Sequence, residues 1–415
     1  MTGQLGRMRM GEDRTGVQGR ADAGWEGVLD AFAEGQAGDA GAAQLTVYHH
    51  SRPVVDVWAA ARHPGPRPFG RESVGILMSV TKGLLAVCVH LLSQRGALDV
   101  DAPVARYWPE YAVNGKQGTT VADLLTHSAG LPAFTGDPAD VAGTDLLDWD
   151  GCVARLAAAD PVWQPGAACS YHALTYGHLV GEVVRRVTGV GVGAFFAAEV
   201  AAPLELDLWI GLPQEEEHRF VPQHSSAPLP TRDQIAMMLQ AVGLDHDDRP
   251  ARSLMASFAE LTAVTAAFDS RAGRAAEIPA AGGIGNASSL ARLYASLIGH
   301  VDGIRLLSPL TVDRARTPRT DHLPAPAPLR RPANADTARF GLGFELPRSG
   351  LPMLGDGSFG HAGAGGRLGM AHPESGLAVG YTCTEMARDP AGGPDPRWLP
   401  WTRAIHEAAG LPAGR

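Results

Sequence analysis

Ser79-Val80-Thr81-Lys82 sets a hydroxyl and an amine three positions apart. On an α-helix that spacing brings both side chains to one face. A serine hydroxyl is a weak nucleophile until a neighbouring base takes its proton. A lysine amine can be that base only where burial or a nearby cation lowers its pKa from about 10.4. Ser-x-x-Lys is a common spacing that mostly carries no chemistry, but composition gives it weight here. Of the 35 basic residues only Lys82 and Lys116 are lysine. The Ala, Gly, Pro and Arg bias is that of a GC-rich genome, in which arginine stands in for lysine wherever the two are equivalent. Arginine stays protonated whereas lysine titrates. Lys82 is therefore a candidate for proton transfer, while Lys116, in Asn-Gly-Lys-Gln-Gly, reads as a surface turn.

Two further segments carry polar groups in suggestive settings. Residues 163–177 read W-Q-P-G-A-A-C-S-Y-H-A-L-T-Y-G. Pro165 and Gly166 make a turn, and Tyr171 opens the approach to the next helix. Beside a cationic lysine, Tyr171 is either a phenolate or proton shuttle, or a packed ring with its hydroxyl satisfied. Residues 359–369 read F-G-H-A-G-A-G-G-R-L-G. Gly360, Gly363, Gly365 and Gly366 in a strand context let a ligand come close to the backbone. An edge strand there would offer N–H groups to a substrate carbonyl; a glycine-rich bulge is the plainer alternative. His127, in L-T-H-S-A-G-L, reads as a structural hydrogen-bonder. His49-His50 and the acidic loop 245–248 lack metal spacing. Cys88, Cys152, Cys169 and Cys383 lack it too and read as free thiols. Neither a metal nor a cofactor is implied.

The elements that must hold these groups follow from periodicity. Residues 1–22 read as a flexible arm and 25–35 as a short helix. Residues 44–49 and 53–58 alternate as a β-hairpin, followed by a loop over 62–70. Residues 79–95 are apolar nearly all round, the mark of a buried helix, with Gly96 as its stop. Helices are expected over 121–127, 151–159, 175–188, 192–201, 231–243 and 252–268. Strands return at 340–345, 367–372 and 377–384, and 318–334 is a proline-rich loop. The economical arrangement is an α+β (α/β) fold: a sheet built from both ends of the chain, with a helical subdomain of residues 97–270 inserted. Residues 23–415 then form one catalytic domain, its site at the junction. The net charge of −9 disfavours nucleic acid and anionic membranes as partners. A polar N-terminus and the lack of 18 consecutive apolar residues imply a soluble, cytoplasmic chain.

In order and separation, the three segments resemble the serine β-lactamase and penicillin-binding-protein superfamily, whose signature includes Ser-x-x-Lys. Within it the likeness is greatest to the family VIII carboxylesterases, and it extends to L-L-T-H-S-A-G-L-P, G-G-I-G-N and F-G-H-A-G-A-G-G. The resemblance implies a β-lactamase/transpeptidase-like fold and Ser79 as the acylated nucleophile. It implies that Lys82 and Tyr171 share the acid and base roles, and that the N–H groups of Ser79 and Ala364 form the oxyanion hole. His361 stands where β-lactamases have the lysine of Lys-Thr-Gly, followed by Gly363. Ala173 stands where class C enzymes have asparagine. Both departures favour esters over β-lactams. A small-molecule ester or acyl substrate is expected, with a transacylase, a β-lactamase or D-amino-acid peptidase, and a non-catalytic binding protein as the alternatives.

Overall fold

The computed structural model describes residues 16–61, 67–143, 145–224, 248–327, 338–386 and 394–411, together with 231, 233, 234 and 237. The expected arm over 1–15, most of the expected helix 231–243, and loop residues 62–66, 245–247 and 328–334 lie outside the described residues.

Strands β1 (Val17–Ala21), β2 (Ala43–His49) and β3 (Arg52–Ala59) come from the N-terminal end, and β7 (Phe359–Gly363), β8 (Arg367–His372) and β9 (Leu377–Cys383) from the C-terminal end. They form one antiparallel sheet in the order β1-β3-β2-β9-β8-β7. The two ends of the chain meet at β2 and β9, where Leu45 faces Tyr381 and Val47 faces Val379. Strand β2 is buried at every position but His49, as a strand covered on both faces must be. One face packs on helix α1 (Glu26–Gly38) and the C-terminal helix Trp398–Ala408 through Val28, Phe32, Trp401 and Ile405. The other face meets helix Ala287–Ile298 and helix α2 (Val80–Gln94) through Leu290, Tyr294 and Leu84. A second, small sheet runs β4 (Gly75–Ile76), β6 (Gly283–Gly285), β5 (Leu208–Ile210).

Helix α2 has thirteen of its fifteen residues buried. Each fully buried leucine or valine contributes about 1.5–3 kcal/mol, which makes α2 the central post of the molecule. Gly96 closes it at φ +73°, and Ala97 N–H reaches back to Leu92 O at 3.0 Å, satisfying carbonyls that the helix end leaves open. Helices α3 (Val121–Leu125), α4 (Trp149–Ala158) and α5 (Thr175–Thr188) lie between the two halves of the sheet in sequence. Gly189 ends α5 at φ +76°.

Two expectations are corrected. Residues 17–21 are not an arm but an edge strand: their polar sequence hides a strand that buries only Val17 and Ala21 and is held by backbone pairing to β3. Residues 340–345 are not a strand. Phe340 and Glu345 form a single bridge around a turn in which Gly343 adopts φ +84°. A Cβ at Gly343 would come within 2.7 Å of the Ala86 methyl on α2, so glycine lets this loop close over the helix. Helix Ala287–Ile298, helix Trp398–Ala408 and the small sheet were not anticipated.

Candidate active site

The turn that leads into α2 is strained and tied down. Met78 has φ +50°, a left-handed conformation that a bulky residue adopts only when its surroundings impose it. The Thr81 hydroxyl donates to Met78 O at 2.6 Å and accepts from Gly283 N–H at 2.8 Å. Leu77 N–H donates to Gly283 O at 2.8 Å. Strand β6 thus grips the turn on both sides of Ser79. The residues of the G-G-I-G-N stretch serve this grip, and Asn286 caps the following helix by accepting from Ser289 N–H.

Ser79 stands at the N-terminus of α2, partly exposed, and Lys82 one turn along is fully buried. Lys82 Nζ lies 3.2 Å from Ser79 Oγ, 2.8 Å from Ala173 O and 2.9 Å from Ala280 O. Burial lowers its pKa from 10.5 to about 7, against a smaller upward pull from the Glu345 carboxylate. A neutral amine has two N–H donors and one lone pair. The two carbonyls take the donors, and the lone pair is left for the serine proton. Ala173 takes part only through its main chain, so the missing asparagine side chain does not alter this contact.

Tyr171 lies over the same cluster, its ring centroid 4.8 Å from Lys82 Nζ. Its hydroxyl hydrogen-bonds with Ser79; burial and the Glu345 charge nevertheless hold the phenol well above its ordinary pKa. Tyr171 is therefore a neutral phenol, not a phenolate. The segment that bears it is pinned by histidines. His172 N–H donates to His127 Nδ1 at 3.1 Å, while His172 Nε2 accepts from Leu131 N–H at 3.0 Å. Its Nδ1–H must then donate to Ser170 O, 2.7 Å away. Desolvation keeps both imidazoles well below their ordinary pKa. His127 is a structural hydrogen-bonder, as its sequence context suggests.

Strand β7 forms the sheet edge beside α2. A Cβ on Gly363 would collide with Leu77 O and approach Val80 Cγ2 to 3.2 Å, so this glycine allows the edge to reach the turn that carries Ser79. Gly360 N–H donates to Glu345 O at 3.1 Å and Ala362 N–H to Glu345 Oε2 at 2.8 Å. Strand β7 ends at Gly363, and Ala364 opens the turn that follows it. His361 is buried. Its Nδ1 lies 2.7 Å from Ala362 O, to which only an N–H can donate, and 3.3 Å from Glu345 Oε2. Burial lowers its pKa, with Glu345 opposing. Its buried Nε2 has no partner and, in the neutral ring, carries a lone pair.

The structure brings Ser79, Lys82, Tyr171, His361 and Gly363 to one place, with Ala364 in the turn that follows Gly363. Lys116 is elsewhere and is corrected: it is buried, not a surface turn. Its Nζ donates to Ala157 O at 3.1 Å and to Ala159 O. It thereby caps the C-terminal carbonyls of α4 with a positive charge. Sequence reading missed Glu345, whose sole signal was a carboxylate among apolar residues in F-G-L-G-F-E. Among the described residues, no group of three His, Cys, Asp or Glu could hold a metal, and no single helix is long and apolar enough to cross a membrane.

Comparison with known proteins identifies the family and the fold. A family model described as Beta-lactamase matches residues 28–399. Esterase/beta-lactamase LipL of Mycobacterium tuberculosis is 36% identical over 375 residues, 87% of this chain and 81% of LipL. A crystal structure of a family VIII carboxylesterase superposes with a TM-score of 0.74 at 31% identity, covering 94% of this chain and 99% of the other. EstA from Arthrobacter nitroguajacolicus Rue61a superposes with a TM-score of 0.77 at 28% identity, covering 94% and 98%.

Proposed function

The chain belongs to the β-lactamase family and is a serine hydrolase, and from that premise we propose that it cleaves a small carboxylic ester through an acyl-Ser79 intermediate. The observation that carries this reading is the buried Lys82 amine, 3.2 Å from Ser79 Oγ with its other hydrogen bonds already taken by two carbonyls. Lys82 accepts the Ser79 proton as Oγ attacks the ester carbonyl. The developing oxyanion is held by the N–H groups of Ser79 and Ala364, donors already oriented before the reaction begins. Tyr171, a neutral phenol hydrogen-bonded to Ser79, passes a proton from Lys82 to the leaving alkoxide. In the second half-reaction the same pair takes a proton from water as it attacks the acyl carbon, and returns it to Ser79 Oγ as the acyl–Oγ bond breaks.

An ester fits this site better than a β-lactam. His361 occupies the position at which the resemblance puts a carboxylate-binding lysine, and as a neutral imidazole it offers Nε2 only as an acceptor. A carboxylate would find no cation there.

The test is covalent labelling. A fluorophosphonate should modify Ser79 alone, and Ser79→Ala should lose turnover of a short p-nitrophenyl ester while the far-UV CD spectrum stays unchanged. More than a few per cent residual turnover in Ser79→Ala would remove Ser79 from this role. Mass spectrometry of the products, with alcohols and amines at millimolar levels, then decides the acceptor. Acid alone means a hydrolase; a dominant transfer product with any acceptor means a transacylase.

A further inference from the structure

The turn that follows β7 carries Ala364, and its carbonyls are all taken. Gly363 O accepts from Gly366 N–H at 3.0 Å. Ala364 O accepts from Arg367 Nη1 at 2.8 Å, and Gly365 O from Arg397 Nη2 at 2.6 Å. Gly366 O accepts from the Trp398 indole N–H at 2.8 Å. Four consecutive carbonyls are thus each held by a donor. Three of the four donors are side chains, all buried, and two of these belong to the C-terminal segment.

These donors are themselves anchored. Arg397 Nε and Nη2 lie 2.9 and 2.6 Å from the two Asp395 oxygens, and its Nη1 lies 3.1 Å from Asp39 Oδ2, just beyond α1. Arg367 also reaches Gln223 Oε1 at 3.2 Å. The glycines fit the same purpose. Gly365 and Gly366 have φ of +80° and +100°, and a Cβ on Gly365 would overlap the Arg367 guanidinium, one on Gly366 that of Arg397. Two buried arginines and an indole N–H are a large polar investment beneath a three-residue turn, since a buried donor left unsatisfied costs about 1–3 kcal/mol.

We propose that Arg367, Arg397 and Trp398 are positioning residues that fix the turn from which the Ala364 N–H acts as an oxyanion donor, so that the C-terminal helix sets the rate of acyl transfer from behind the sheet. The inference rests on the reading of Ala364 given above. None of the three residues touches substrate; they act by preventing the turn from rotating its N–H away from the developing charge. An oxyanion donor stabilises the transition state more than the bound ester. A loosened turn should therefore lower kcat and spare KM.

Trp398→Phe deletes the indole N–H but keeps an aromatic ring in the core, at the cost of a cavity that lowers stability, and Arg397→Lys keeps the charge towards Asp395 and Asp39 while removing the planar fork. Deleting an oxyanion donor outright costs about 100- to 1000-fold in kcat; a loosened one should cost roughly tenfold. Each variant should lose that factor in kcat on a p-nitrophenyl ester. Each should lose the same factor in affinity for a boronic acid, which forms a tetrahedral adduct on Ser79, with KM changed less than about twofold. A merely structural role would lower the melting temperature without separating boronate affinity from KM. Unchanged kcat and boronate affinity in Trp398→Phe would overturn the proposal, and should Arg397→Lys fail to fold, Trp398→Phe decides alone. Ala364→Pro, which removes the donor itself, separates the two readings. If wild-type Ser79 is labelled and Ala364→Pro keeps full kcat, the assignment of Ala364 is wrong. If Ala364→Pro loses activity while Trp398→Phe does not, the clamp alone is wrong.

Discussion

Replacement of Lys82 by arginine is the sharpest test of proton transfer, because it keeps a cation at the site and removes only the ability to titrate. With its pKa lowered from 10.5 to about 7 by burial, Lys82 is about half neutral at pH 7; an unperturbed lysine would be neutral in roughly one molecule per 3000. That gain in the reactive form is on the order of 1000-fold, equivalent to about 4 kcal/mol. Arginine, with a pKa above about 12, is never neutral at working pH. General-base catalysis is worth about 100- to 10,000-fold, so Lys82→Arg should fall by at least two orders of magnitude in kcat/KM, close to Lys82→Ala. The assay is p-nitrophenyl ester hydrolysis from pH 5.5 to 9. Wild-type kcat/KM should rise tenfold per pH unit below pH 7 and level off above it, because protonation of the free enzyme removes the base. Neither variant should show this limb. A Lys82→Arg enzyme with more than a few per cent of wild-type activity, or a wild-type profile flat between pH 6 and 8, would refute the argument and leave Lys82 an electrostatic role only.

Other consequences follow from the buried carboxylates and from His361. Glu345→Gln keeps an acceptor for Ala362 N–H but removes the charge that raises the Lys82 pKa, so the acid limb of kcat/KM should move to lower pH; a shift upward would contradict the assignment. Glu260 is buried with its pKa raised from 4.5 to about 8, chiefly by desolvation. Its folded state binds a proton that the unfolded chain has released, so stability should fall as pH rises from about 4.5 through 8. Glu260→Gln, which keeps the bonds to Phe134 and Thr135 N–H, should remove that decline in thermal melts between pH 6 and 9. Nitrocefin should turn over far more slowly than the best ester, since His361 presents no cation to its carboxylate; comparable kcat/KM values would reverse the choice of substrate class.

The chemistry was legible where it is local. The three-residue spacing of Ser79 and Lys82 fixes their shared face on any helix, and the all-apolar run around them requires that the helix be buried. Gly96 marks a helix end because few other residues accept a positive φ. The rarity of lysine pointed to Lys82 on titration chemistry alone. The same argument failed for Lys116, whose partners at Ala157 and Ala159 lie about forty residues away along the chain. What makes Lys82 a base is not in its own segment. Its low pKa comes from desolvation beneath Tyr171, and its donors are occupied by carbonyls 91 and 198 residues distant. Glu345, Arg397 and Trp398 were invisible for the same reason. A hydrogen bond or a lost hydration shell depends on what the fold places opposite a group, and sequence periodicity describes only which way the group faces. The residues that could react were written in the chain, while their protonation states and the rigidity of the Ala364 turn were decided only when the two ends of the chain met in one sheet.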